Sequence, residues 1–226
     1  MFLSAPESCM IREGVGPSHS MDVHVVRHPL VEDVLAALRD HHTPCDVFRQ
    51  LAHRVSLLLV AEATRDLPLA EATVETPLET ATVRRLAARV VGVPVLRAGL
   101  GMLDALLDLV PQAQVGYFGL ERDEVTAVAR RYYEKVPTDL GDASVFLLDP
   151  MLATGGSATM AIEGLAELGA RRVRLLSIVA APEGIAHLKA TVPDATVYTA
   201  AIDRELNARK FILPGLGDFG DRLFGT

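Results

Sequence analysis

Tryptophan is absent from this chain and cysteine nearly so, with only Cys9 and Cys45. The two stand alone without a Cys-x-x-Cys pair, so neither a zinc site nor a disulfide framework is supported, and a reducing cytoplasm is the simplest setting. An excess of positive charge is lacking as well. The 22 Lys and Arg face 29 Asp and Glu, for a formal net charge of −7. That argues against nucleic acid as a bulk electrostatic partner, because phosphate backbones are bound mainly by cationic surfaces. A small polyanion needs only a local cationic pocket. Lysine is scarce among the basic residues, Arg making up 19 of the 22; Arg forks suit phosphate and pyrophosphate, but a codon bias towards Arg explains the excess at least as well. No segment offers about twenty uninterrupted apolar residues, and Met1 to Ser8 lack a basic start and an apolar run, so neither a membrane span nor export is expected. Internal repeats and low-complexity tracts are missing too.

What remains is the composition of one sizeable core: 226 residues, 50% of them hydrophobic, enough for one α/β domain with small additions and short for two. That domain is expected over residues 21–226. Residues 1–20, with their Pro, Gly and Ser, read as a mobile tail. Val31, Val34, Leu35 and Leu38 share one helical face, and Phe48, Leu51 and Val55 repeat the pattern between Val47 and Leu59, so two packed helices open the domain. From Leu67 to Glu79, Pro68, Pro77 and the alternation Thr73-Val74-Glu75-Thr76 predict short strands in a small hood. The candidate sheet strands are Val90 to Leu96, Gln114 to Gly119, Ser144 to Leu148, Val173 to Val179 and Ala195 to Thr199. Arg130 to Val136 reads as one arm of a protruding β-hairpin. Alternation of β and α predicts a mainly parallel, doubly wound sheet with ligands at the carboxyl ends of its strands.

The stretch from Val145 to Ala158 carries the chemistry. Val145-Phe146-Leu147-Leu148 is a strand covered on both faces, and Met160, Ile162, Leu165 and Leu168 mark a helix beyond the turn. Between them, Gly155 and Gly156 permit φ > 0 and bare backbone, so successive N–H groups can face one anion at the helix N-terminus, with the Thr154 and Ser157 hydroxyls as further donors. No Lys precedes the hydroxyl residue and the glycine spacing differs from a Walker A loop, which disfavours a nucleoside triphosphate. Asp149, at the strand end, is placed to accept hydrogen bonds from two neighbouring ribose hydroxyls. The combination reads as a sugar-phosphate site. Arg97 likewise follows an apolar strand and precedes Ala98-Gly99-Leu100-Gly101, where a second phosphate would sit.

Asp149-Pro150-Met151-Leu152-Ala153-Thr154-Gly155-Gly156-Ser157 resembles the 5-phosphoribosyl-1-pyrophosphate (PRPP) loop of type I phosphoribosyltransferases, and its wording is similar to the uracil phosphoribosyltransferase family in particular. Most of the superfamily shows two adjacent acids here, whereas Pro150 follows a single Asp149. The resemblance continues through His28 to Val31, Glu62 to Leu67, Pro94 to Met102, Ala180 to Gly184, Pro214 to Asp218 and Phe224 to Thr226, covering nearly everything after about residue 22. It implies the type I phosphoribosyltransferase fold with a hood and a hairpin, and a salvage reaction joining uracil to PRPP to give UMP and pyrophosphate. By the same resemblance, Asp149, Arg97 and Arg122 are the catalytic set. PRPP would be bound by Arg97, the backbone of Ala98 and Gly99, Arg122, the loop Asp149 to Ser157, and Asp218; the peptide bond after Arg97 would be non-proline cis. Uracil would be read by Ile212, Gly217, Asp218 and Phe219, with Phe219 standing where the family suggests Ala. Mg²⁺ would be carried mainly through PRPP, with no dedicated metal ligands on the protein. The resemblance also admits GTP as an effector and implies a homodimer or higher homo-oligomer.

Other charged and polar residues have plainer readings. The hairpin between Val125 and Lys135 keeps the family's length and Tyr-Tyr pair but differs at its tip, and is expected to be flexible and to cover PRPP. His24, His28, His41, His42, His53 and His187 show no metal-ligand spacing. Glu62, Arg65 and Asp66 at a helix end are read as ion pairing and capping. Two alternatives stay open: a phosphoribosyltransferase for another pyrimidine-like base, motivated by Phe219, and a non-catalytic PRPP- or nucleotide-sensing regulator of the same fold. The charge of −7 and the set Arg97, Arg122 and Asp149 favour the enzyme.

Overall fold

Uninterrupted apolar strands have to be covered on both faces, and here their side chains divide between two cores. The computed structural model describes residues 21–122 and 129–226; the expected tail, residues 1–20, and the hairpin tip, residues 123–128, lie outside them. In chain order the elements are β1 (Val23–Val25), α1 (Pro29–Arg39), α2 (Cys45–Ala63), β2 (Leu69–Glu75), β3 (Thr80–Leu86), β4 (Val90–Leu96), α3 (Leu100–Leu109), β5 (Gln114–Val115), β6 (Tyr117–Arg122), β7 (Ala129–Lys135), β8 (Ser144–Leu148), β9 (Met151–Leu152), α4 (Gly156–Glu167), β10 (Val173–Ala180), α5 (Pro182–Thr191), β11 (Thr196–Ile202), β12 (Glu205–Leu206), β13 (Ile212–Leu213) and α6 (Phe219–Phe224).

The main sheet runs β1-β11-β10-β8-β4-β6-β7. Every neighbouring pair along this path is parallel except β6 with β7. Alternate residues of one strand serve different cores: Phe146 and Leu148 of β8 pack with α1, α2, α3 and α6, while Val145 and Leu147 pack with α4 and α5. This is the period-two consequence of a strand with helices above and below. After β4 the chain goes to β6 on one side; when it returns it lays β8 on the other side of β4 and continues outward to β10 and β11. The winding therefore reverses between β4 and β8, and the carboxyl ends of those two strands flank the crevice where doubly wound sheets bind ligands.

Local signals explain most element ends. His28 caps α1 by accepting the Leu30 N–H on Nδ1 at 3.1 Å, and Pro29 opens the helix, where its missing donor costs nothing. Pro182 does the same for α5. Several sequence-based extents need correction, and the strand expected from Ala195 to Thr199 runs on to Ile202. The strand expected from Gln114 to Gly119 is broken at Gly116, whose N–H goes to Gly92 O, and its second part runs on to Arg122. The hood segment is a longer antiparallel hairpin, β2 with β3, paired from Leu69↔Leu86 to Glu75↔Thr80; Pro77 sits in its turn rather than ending it. The short strand β1, set beside β11, has too few residues to show periodicity. Phe219–Phe224, a stretch that shows no periodic signal, is helical with Asp218 as its N-cap.

Arg174 ties the amino end of β10 to the end of α2. It donates to Ala63 O and to both carboxylate oxygens of Asp66, with only 11% of its side chain exposed, while Arg65 pairs with Glu62 at 2.6 Å. The Arg174 hydrogen bond holds the Asp66 carboxyl below its ordinary pKa. A lowered acid pKa stabilises the fold above the unfolded value and stops doing so as pH falls through the folded value. Because Asp66 is largely exposed, most of the effect of Arg174 rests on the Ala63 carbonyl. Arg174→Met is expected to lower unfolding stability by about 1–3 kcal/mol at neutral pH. Denaturant titrations should show the gap from wild type narrowing below about pH 4, where Asp66 protonates in the unfolded chain.

Candidate active site

A cleft of about 390 Å³ opens at the carboxyl ends of β4 and β8. Its first wall is the turn after β8. Asp149 donates its N–H to Leu176 O at 3.1 Å and accepts the Ser177 hydroxyl on its carbonyl at 2.6 Å. The Pro150 carbonyl accepts the N–H groups of Ile178 and Val179, and β9 pairs with β10. The loop is thus stitched to the neighbouring strand before it turns. Asp149 Oδ1 lies 3.4 Å from the Met151 nitrogen, a long contact that leaves the carboxylate on the cleft wall. Gly155 then adopts φ 85° as N-cap of α4, a conformation costly for any residue with a Cβ. The first N–H groups of α4 have no partner within the helix and form the positive end of a twelve-residue dipole, the kind of end suited to an anion.

The second wall follows β4. The Leu96–Arg97 peptide is cis, so the expected cis bond lies before Arg97 and not after it: Ala98 and Gly99 already belong to the turn entering α3, with the Leu100 N–H on Arg97 O at 3.1 Å. Arg97 and Ala98 line the cleft. Gly99 faces the sheet instead; its N–H is given to Val95 O at 2.8 Å, and a Cβ there would come within 2.2 Å of Leu148 O. The Arg97 guanidinium reaches Asp221 at 3.5 Å and lies 5.5 Å from the Phe224 ring centre, both on α6. Arg122 ends β6 opposite Ala129, and its side chain lies outside the description.

The third wall is the C-terminal segment, where Ile212, Gly217, Asp218 and Phe219 all border the cleft. Two arginines hold it. Arg222 donates to Leu38 O at 2.5 Å, Leu216 O at 2.9 Å and Asp40 O at 2.6 Å, and stacks 4.3 Å above the Phe48 ring. Burial lowers its pKa, opposed by the charge of Asp40. Arg39 makes a fork on Asp203 at 2.6 and 2.9 Å, and both Asp203 and Arg39 bond the backbone of Gly215. Asp218 Oδ1 caps α6 through the Asp221 N–H at 3.0 Å. The Phe219 ring is 2% exposed and packs edge-on against Phe48, centroids 5.1 Å apart. It backs the wall from inside the core.

Of the residues expected in the PRPP loop, Met151, Leu152, Ala153, Thr154, Gly155 and Ser157 border the cleft with Asp149, while Pro150 and Gly156 do not. Sequence reasoning missed Arg209, Lys210 and Phe211 on the same cleft, and Asp221 and Phe224 beside Arg97. The first three sit in the turn between β12 and β13, strands of two residues each and too short for a periodic signal, and the last two are on the six-residue α6. Among the described residues, the lining cations Arg97, Arg209 and Lys210 outnumber the lining anions Asp149 and Asp218 by three to two, a positive excess within a chain of net charge −7. The histidine reading needs one correction: exposed Asp40, His41 and His42 place three possible ligand atoms within 4.8 Å of one another, because the chain turns back at the end of α1. This cluster is outside the cleft.

A doubly wound sheet presenting a glycine-turned helix N-terminus, a strand-end carboxylate and an arginine loop around one switch point defines a binder of phosphorylated sugars. Comparisons narrow the class. Residues 25–226 match the model of the family described as uracil phosphoribosyltransferase, and the chain belongs to that family. It is 48% identical over 205 residues to a uracil phosphoribosyltransferase of Shouchella clausii, covering 90% of this chain and 98% of that protein. It is also 48% identical over 203 residues to one from Lacticaseibacillus paracasei, covering 89% and 97%. Among solved structures, the AQ2163 protein from Aquifex aeolicus superposes with a TM-score of 0.87 at 34% identity, covering 90% of this chain and 98% of that one.

Because the Phe219 ring fills core volume against Phe48, Phe219→Ala is expected to cost about 3–5 kcal/mol of stability. Chemical denaturation measures it. A loss under 1 kcal/mol, with altered base preference as the main effect, would mean that the ring serves the ligand and not the core.

Proposed function

We propose that this chain transfers the 5-phosphoribosyl group of PRPP to uracil: the C1′–N1 bond of UMP forms, the C1′–O bond to pyrophosphate breaks, and uracil loses its N1 proton. The observation that supports the reading is the juxtaposition, at the ends of two adjacent strands, of the glycine-turned α4 N-terminus with its hydroxyls and the Arg97 loop, with Asp149 on the same cleft wall. PRPP has that pattern: a 5′-phosphate, a ribose diol and a pyrophosphate.

Each group then has a physical task. The α4 N-terminus, Thr154 and Ser157 hold the 5′-phosphate, and Asp149 accepts from the ribose hydroxyls. Arg97 exchanges its exposed contact with Asp221 for the pyrophosphate, where charge accumulates as the C1′–O bond stretches. Arg122 is assigned to the same pyrophosphate. The backbone around Ile212 and Gly217, with Asp218, faces the donor and acceptor edge of the base. Positive charge developing at C1′, as in glycosyl transfer generally, is offset by positioning between anionic groups. The carboxylates of Asp149 and Asp218 are hard oxygen donors that fit Mg²⁺; bound with PRPP, the ion would supply charge neutralisation to the leaving group. A homo-oligomer and a GTP effector belong to the same proposal, as does a cytoplasmic setting; among the described residues no helix is long and apolar enough to cross a membrane.

Incubation with PRPP, Mg²⁺ and a panel of pyrimidines, reading out pyrophosphate and nucleotide, should give UMP from uracil with the highest kcat/KM. Binding without turnover on every base would convert the reading into a sensor. Arg97→Ala should weaken PRPP and pyrophosphate binding by about 1.5–3 kcal/mol, the worth of a charge-assisted contact, with calorimetry as the measurement. Asp149→Asn should keep the wild-type melting temperature and lose most turnover. Wild-type activity in that variant would remove Asp149 from the site.

A further inference from the structure

The wall expected to hold the 5′-phosphate contains no cationic side chain: from Thr154 to Ser157 it offers hydroxyls and backbone N–H groups only. Among the described residues three cations line the cleft; of these, Arg97 sits with Asp221 and Phe224 at the wall that follows β4. Arg209 and Lys210 come from the turn between β12 and β13. Both are exposed, and neither forms an ion pair among the described residues.

This turn is built to hold a definite shape. Asn207 Oδ1 accepts the N–H groups of Arg209 and Phe211 at 2.9 and 3.0 Å. The Lys210 N–H is given to Asn207 O at 2.9 Å, and the Asn207 N–H to Phe211 O at 2.8 Å. The result fixes Lys210 at φ 64°, the left-handed region where glycine is at ease and a residue with a Cβ is not. A long cation therefore occupies, against local preference, a position at the cleft. Departures of this kind concentrate at ligand-contacting positions.

Its neighbours place it on the phosphate side. Leu206, at the foot of the turn, donates to Glu183 Oε1 at 2.9 Å. That bond is the main cause of the lowered Glu183 pKa, and the charge of Lys210 adds to it. Glu183 opens α5 next to Gly184, where a Cβ would meet Ala153 O at 2.4 Å. The Gly184 carbonyl in turn lies 3.0 Å from a Cβ built on Gly155. The foot of the turn that carries Lys210 is thus tied to the start of α5, which packs against Ala153 and Gly155 of the cradle.

We propose that Lys210 is a binding residue for the ribose 5-phosphate end of the substrate, supplying over the Thr154–Ser157 cradle the cation that the cradle lacks. The inference rests on the PRPP reading above and deepens it. One charge-assisted contact to phosphate is lost with the ammonium.

Calorimetry with ribose 5-phosphate and, separately, with pyrophosphate tests this on wild type, Lys210→Gln, Lys210→Gly and Lys210→Arg. The Gln and Gly variants should bind ribose 5-phosphate roughly tenfold more weakly, with pyrophosphate affinity changed less than twofold, and Arg should restore most of the loss. The Gly variant should melt above the Gln variant, since it relieves the left-handed strain, which separates a folding defect from a binding defect. Unchanged ribose 5-phosphate affinity in Lys210→Gln overturns the proposal and leaves the transferase reading standing. Equal weakening towards both ligands also overturns it, because it shows only a general charge effect. A wild-type protein that binds neither PRPP nor ribose 5-phosphate overturns both.

Discussion

The C-terminal wall of the cleft depends on one guanidinium. Arg222 accepts nothing and donates to three carbonyls from two distant parts of the chain, Leu38 and Asp40 at the end of α1 and Leu216 in the loop before α6. Its flat face rests on Phe48 of α2, and Phe48 in turn meets Phe219. A lysine could reach one of these carbonyls but could neither span all three nor stack. Arg39, at the end of α1, repeats the device through Asp203 and Gly215. Main-chain groups of an irregular segment that would otherwise be left without partners are thereby satisfied, as burial requires.

The other two walls, after β4 and β8, are held by a different force. Their turns leave directly from β4 and β8, which pair with each other from Val90↔Ser144 to Pro94↔Leu148 and are buried along almost their whole length. Ladder hydrogen bonds and two cores fix the spacing between the Arg97 loop and the Asp149 loop. The C-terminal wall arrives from the far end of the chain and, among the described residues, has no ladder to the main sheet. Its position relative to the other two walls is set by side chains, so substrate geometry across the cleft combines a rigid half with a clamped half.

This division also explains what could be read in the sequence. Buried parallel strands announce themselves as apolar runs, and β4 and β8 are found with the boundaries expected from those runs. Because ligand loops sit at strand ends, Arg97 and Asp149 follow at once. The clamped half gives no such signal. Arg222 reads as one charge in a glycine-rich tail, its carbonyl partners carry no side-chain signature, and Arg39 and Asp203 are 164 residues apart in the chain. Phe219 looked like a candidate for touching the base; only its contact with Phe48 reveals a core residue. Lys210 was invisible for a related reason, since a left-handed lysine is recognised from a dihedral and not from a residue type.

Electrostatics follows the same logic of local over global. The chain as a whole repels anions, yet the cleft is built so that attraction acts only at short range: helix N–H groups of α4, and a few cations set against Asp149 and Asp218. Screening over about 8–10 Å at ordinary ionic strength separates the cleft from much of the acidic surface. Asp221 beside Arg97 then has a physical meaning. An exposed pair of this kind is worth little to the fold, so Arg97 can leave it for a bound anion at small cost, while in the free protein the carboxylate keeps the guanidinium at the mouth of the cleft.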